Sequence, residues 1–208
     1  MMTYGARDVL RRIVKYAVMI AVSAAIGIFL GHLISNYEMR FMANRSLYGE
    51  YKGIEIYTVG EVNEKIMSNY LYMLSCAPDE LTECCDRLYF TGSDLDIPEN
   101  DVGVDSALGL TQGRTIYIST EWFGMEVMFH ELFHAYDNVN GELSSSEQFR
   151  DVFWSERNNI YVAAGYEEMY PSEFFAQGGA FYLLSHERLK EDAPLTYAYF
   201  NSIFSFFE

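Results

Sequence analysis

Positions 128–137 read MFHELFHAYD. Histidines four residues apart share one face of a helix, about 40° of arc from each other. Each offers a neutral ring nitrogen, so His130 and His134 can point at one metal ion. Glu131 follows the first histidine and lies to the side, where it reaches a water on that metal without ligating the metal itself. Zinc lowers the pKa of such a water toward about 7, and a carboxylate can then take its proton. This H-E-x-x-H spacing on a helix carries the chemistry of zinc-dependent hydrolysis.

The surrounding residues suit a buried helix, expected over about 121–139. Trp122, Met125, Met128, Phe129, Leu132, Phe133, Ala135 and Tyr136 cover most of its circumference, and a helix apolar nearly all round belongs inside a domain. Glu126, His130, His134 and Asp137 gather in the remaining sector. A buried polar strip must be satisfied, and a metal satisfies histidines. A catalytic zinc needs a third protein ligand and one open position. The candidates are Asp137, Asp151, Glu167, Glu168, Glu173 and His186. Asp137 is better placed to accept an imidazole N–H than to ligate. Glu173 stands out, in the first turn of a helix started by Pro171 in YPSEFFAQGGAFYLL. Behind it lies the small stretch AQGGA, whose two glycines each cost about 1 kcal/mol against alanine. That cost is reasonable if this helix packs closely on the one carrying the histidines.

The elements that must position these residues lie on both sides. IEIYTV (54–59) and RTIYIST (114–120) alternate and read as strands, with LYF (88–90) as a third. Residues 61–77 have apolar residues at helical spacing, and Pro78 opens a shorter helix through about 87. Residues 91–113, rich in Gly, Asp, Ser and Pro, read as loop. Further helices are expected over about 146–158, 171–187 and 194–206. The fold class is α+β: a small N-terminal sheet with helices, an active-site helix, then C-terminal helices.

Half of the 208 residues are apolar and 16% are aromatic, enough for one packed domain with an appendage. The net charge is −16, but residues 1–15 carry Arg7, Arg11, Arg12 and Lys15 against Asp8. A body so acidic does not seek nucleic acid, which needs clustered Lys and Arg. It suits cationic or neutral substrates. Residues 13–34 read IVKYAVMIAVSAAIGIFLGHLI, and the apolar run from Tyr16 to Ile34 is 19 residues long. About 20 residues span a bilayer core. The expected organisation is a basic cytoplasmic segment (1–12), a transmembrane signal anchor (13–34), a juxtamembrane stalk (35–52) and an outward-facing domain (53–208). Signal cleavage near Ser23–Ala25 with secretion is the alternative. Of the three cysteines, Cys76 could bridge to Cys84 or Cys85 in an oxidising compartment, or all three could be buried thiols.

HELFHAYD, followed 39 residues after His134 by the glutamate of YPSEFFAQ, resembles the zinc metalloproteases of the anthrax-lethal-factor catalytic-domain type. The small Pro-Pro endopeptidases of that type are the nearest in pattern. The resemblance covers roughly residues 100–190 and implies a zincin-like fold. It assigns one zinc ion to His130, His134 and Glu173, and the general base to Glu131. It also assigns oxyanion support to Tyr166, seven residues before Glu173, a task that suits a phenol O–H. Gln177 stands where that family often has a second glutamate, which puts it beside the ligands. RTIYIST resembles the edge strand along which such enzymes lay an extended peptide. The implied function is a membrane-anchored extracellular endopeptidase acting on extended substrates, proline-rich ones among them. Two rival readings are a non-catalytic zinc-containing binding module and a toxin-like protease acting on a host protein.

Overall fold

The computed structural model describes residues 44–92, 108–160 and 170–204. The expected span at 13–34 and Tyr166 lie outside the described residues. Among the described residues no helix is long and apolar enough to cross a membrane.

Among the described residues five strands form one mixed sheet: β1 (Arg45–Tyr51), β2 (Ile54–Val59), β3 (Arg87–Thr91), β4 (Gly109–Gln112) and β5 (Thr115–Ser119). Their order across the sheet is β1-β2-β3-β5-β4. The three strands expected from sequence are its centre, β2, β3 and β5, and they run parallel. Ile56, Leu88 and Ile116 align across them toward the core. Tyr57, Tyr89 and Tyr117 align on the opposite face, with ring centroids 5.0 and 5.1 Å apart.

Both outer strands correct the expectation. Residues 45–51 are β1 rather than stalk, so the body begins at Arg45 instead of 53. Tyr51 pairs with Ile54 across Lys52 and Gly53, whose φ values of 49° and 83° make a two-residue hairpin turn. Most side chains of β1 are exposed, so it carries no apolar alternation to read. Residues 109–112 are β4 rather than loop, and they pair antiparallel with β5. Among the described residues the outer strands are β1 and β4, and RTIYIST lies inside the sheet.

The crossover from β2 to β3 runs through α1 (Glu64–Cys76) and α2 (Asp79–Thr82). Asn63 caps α1 by accepting from the Ile66 N–H, and Met67, Tyr70 and Leu74 bury one face. After the sheet come α3 (Val127–Val139), a 3-10 turn at Leu143–Ser145, α4 (Glu147–Glu156), α5 (Pro171–Leu184), α6 (His186–Asp192) and α7 (Pro194–Ile203). α3 starts at 127 and not at 121. The Tyr70 hydroxyl donates to the Trp122 carbonyl and accepts from the Gly124 N–H, which holds 122–124 as a loop. Trp122 and Met125, counted above on the helix, are instead exposed.

α3 and α5 pack on each other, as the glycines of AQGGA foretold. A Cβ at Gly179 would lie 2.4 Å from the Phe133 ring of α3. Gly178 faces Thr196 and Phe200 of α7 instead. Phe133 of α3 is fully buried together with Phe149, Phe175 and Phe200 of the C-terminal helices. The three cysteines form no bridge: Cys76 is exposed, while Cys84 and Cys85 are buried thiols. Burial pushes the Cys85 thiol up to about 12.

Candidate metal centre

α3 carries His130 and His134 one turn apart, with ring centroids 4.7 Å apart and planes nearly perpendicular. α5 brings Glu173 to them in its first turn, where the helix dipole favours a carboxylate. The Nε2 atoms of the two histidines are 3.0 Å apart. Glu173 Oε2 lies 3.3 Å from His130 Nε2, and Glu173 Oε1 lies 3.4 Å from His134 Nε2. Ligand atoms 2.0–2.1 Å from a tetrahedral zinc are about 3.3–3.4 Å from one another. The two carboxylate separations fit that figure, one on each Glu173 oxygen, and the Nε2–Nε2 separation is shorter. Two imidazoles with one carboxylate are a donor set suited to zinc. The three side chains are partly buried and form the only such metal-ligating group among the described residues.

The electrostatics fit a cation site. Burial alone pushes the Glu173 carboxyl up, but hydrogen bonds from His130 and His134 outweigh it and hold the group well below the usual carboxylate range. Burial pulls the His134 pKa down, yet the Glu173 contact and the Glu131 and Asp137 charges raise it overall. His130 Nδ1 is 3.1 Å from Gln177 Oε1. An amide oxygen only accepts, so Nδ1 carries the proton and Nε2 keeps its lone pair for a metal. Gln177 thus stands beside His130.

Asp137 does not. Its carboxylate accepts from the Ser144 N–H at 2.8 Å and the Ser144 hydroxyl at 2.6 Å. It holds the 3-10 turn after α3 and not an imidazole. Of the other candidates, Asp151 is exposed on α4, His186 lies 3.5 Å from Glu187, and Glu167 and Glu168 fall outside the described residues.

Glu131 is 5% exposed and sits under β4. Its Oε2 accepts from the Thr111 hydroxyl at 2.7 Å. Among the described residues its Oε1 takes no hydrogen bond, and it lies against the backbone at Gly109. Thr111 and Gly109 are the site neighbours that sequence reasoning missed. Gly113, at φ 60° between two short apolar stretches, was the available sign of a hairpin there.

Residues 112–203 match the family model described as anthrax toxin lethal factor, N- and C-terminal domain. A Pro-Pro endopeptidase of Paenibacillus alvei is 34% identical over 85 residues, 39% of this chain and 39% of that protein. A Pro-Pro endopeptidase of Clostridioides difficile is 35% identical over 78 residues, 36% of this chain and 35% of the other. The matches thus span well under half the length of these curated relatives. The solved structure of the Paenibacillus alvei Pro-Pro endopeptidase aligns with a TM-score of 0.56 at 21% identity, covering 74% of this chain and 98% of that one. The mixed α+β fold is similar to that structure, and the resemblance read from HELFHAYD and YPSEFFAQ holds.

Proposed function

We propose that this chain, similar in sequence to metalloendopeptidases and in fold to one of them, is a zinc-dependent endopeptidase acting on extended peptides. One observation carries the reading. Two imidazole nitrogens and the Glu173 carboxylate converge within reach of one ion, beside a buried glutamate whose Oε1 takes no hydrogen bond among the described residues. His130, His134 and Glu173 would hold the ion. When bound, zinc supplies Lewis acidity to the scissile carbonyl and to the attacking water. Glu131 Oε1 takes the proton from that water and hands it to the leaving amine nitrogen as the C–N bond breaks. Gln177 keeps His130 in the ligating tautomer. Tyr166 is the residue that the resemblance assigns to the developing oxyanion.

β4 supports an extended substrate. It is an edge strand, with β5 as its one strand neighbour among the described residues, so a peptide can pair with its free side. The name of the relatives points to substrates with adjacent prolines as the first to try. The apolar run at 13–34, with basic residues before it, supports a single membrane span with the catalytic body outside.

The test uses the full-length chain. Zinc per chain is measured, then cleavage of a proline-rich peptide library with and without chelator. The expected result is one zinc ion per chain and cleavage that stops with chelator and returns with zinc. A protein that binds no zinc, or a zinc-loaded one that cuts no peptide, sinks the proposal.

A further inference from the structure

Gly109 and Thr111 are two apart on β4, so their side-chain positions share one face of the strand. That face meets Glu131. Thr111 Oγ1 is 2.7 Å from Glu131 Oε2 and 3.0 Å from the Glu131 main-chain oxygen. The hydroxyl has one proton to give, and the charged, nearer carboxylate is the stronger acceptor. At Gly109 an added Cβ would lie 2.5 Å from Glu131 Oε1, 2.7 Å from its Cγ and 2.8 Å from its Cδ. The φ of Gly109 is not among the positive ones, so the glycine serves space and not backbone conformation. The Glu131 side chain therefore lies flat on strand backbone that a larger residue would fill.

We infer that β4 positions the general base: Thr111 anchors Oε2, and Gly109 leaves the room that Oε1 occupies. This rests on the reading of Glu131 given above. Thr111 and Gly109 act on Glu131 through their side-chain positions and are positioning residues. The consequence concerns register. The same four-residue strand whose outer edge is offered to the substrate backbone holds the base from its inner face. Docking a peptide on β4 thereby fixes the distance between its scissile bond and Glu131, with no loop between them to absorb error.

The test compares Thr111→Val, Thr111→Ser and Gly109→Ala in the full-length chain. A misplacement of about 1 Å can cost on the order of 100-fold in rate. Thr111→Val and Gly109→Ala are expected to lower kcat about 10- to 100-fold, with KM changed less than about twofold and zinc content unchanged. Thr111→Ser, which keeps the hydroxyl, restores most of the rate. A second readout needs no activity. In metal-free protein Thr111→Val should lower Tm by about 4 °C, but by under about 1 °C when Glu131 is already alanine. Turnover of Thr111→Val within twofold of wild type overturns the inference, as does an equal Tm loss in both backgrounds. A zinc-loaded wild-type chain that cuts no peptide removes the base role together with the enzyme reading. The thermal coupling tells that failure apart from absence of the contact.

Discussion

Glu131 and Glu156 are buried to the same degree, 5% and 4% exposed, in two different parts of the molecule. Glu156, at the end of α4, is saturated. Its Oε1 accepts from the Leu195 N–H at 2.9 Å, and its Oε2 accepts from the Thr196 N–H and hydroxyl, each at 2.8 Å. It caps the N-terminus of α7 from outside that helix, where orphan N–H groups and the helix dipole both favour an anion. Among the described residues Glu131 receives one hydrogen bond, on Oε2, and its Oε1 receives none. A carboxylate whose acceptor sites are filled is held still and does nothing else. One that is held by a single oxygen is oriented and remains able to accept a proton. The cost of burying a carboxylate is offset by hydrogen bonds on both oxygens in the first case and on one oxygen in the second.

The sharpest way to break this contrast is to change each glutamate and read both activity and stability. Glu131→Gln keeps the side-chain shape and removes the base. Turnover should fall by about 10²–10⁴-fold, with Tm and zinc content near wild type. Glu156→Ala leaves two N–H groups and one hydroxyl at the start of α7 without their acceptor. Unmet buried donors cost about 1–3 kcal/mol each, partly recovered by water, so a Tm loss of roughly 6–12 °C is expected. The kcat of the protein that remains folded should be unchanged. The contrast fails if Glu131→Gln unfolds the chain or if Glu156→Ala loses turnover without losing stability.

How much of this was legible in the sequence follows the same division. His130, His134 and Glu131 were readable because their geometry is local, fixed by helix periodicity alone. Glu173 was readable because it sits in the first turn of a second helix, whose glycines implied close packing on the first; Gln177 was legible only through the family pattern from which it departs. Thr111 and Gly109 were not, because β4 is a four-residue edge strand too short to show alternation. The start of α3 was misplaced because Trp122 and Met125 fit helical spacing. What overrides that spacing is the Tyr70 hydroxyl, 52 residues away from the Trp122 carbonyl that it holds. Contacts between side chains and distant backbone leave no periodic trace.

The partner of His130 sharpens the comparison on the metal side. Gln177→Ala removes the acceptor that keeps the proton on Nδ1. Such supporting groups are typically worth 10- to 100-fold in metal affinity. Zinc should therefore be lost to a competing chelator at about 10- to 100-fold lower chelator activity than from wild type. Gln177→Glu keeps an acceptor and should retain zinc at least as well. Wild-type affinity in Gln177→Ala would mean that the His130 tautomer is set by something else.

Asp137 tests the saturated side at the smallest scale. Its place one turn past His134 suggested an imidazole partner, yet both of its oxygens are taken by Ser144, seven residues on. Asp137→Asn keeps the size and one acceptor oxygen, and puts an amide where the second oxygen accepted. It also removes a charge from near His134. If Asp137 is structural like Glu156, the loss is one charge-assisted hydrogen bond, about 1.5–3 kcal/mol, seen as a Tm drop of several degrees. Zinc affinity should move less than it does in Gln177→Ala, because no hydrogen bond to a ligand is broken. Ser144→Ala should reproduce most of the Tm drop, since it removes the hydroxyl half of the same contact. A zinc affinity in Asp137→Asn as weak as that of Gln177→Ala would place this carboxylate with the site and not with the turn that follows α3.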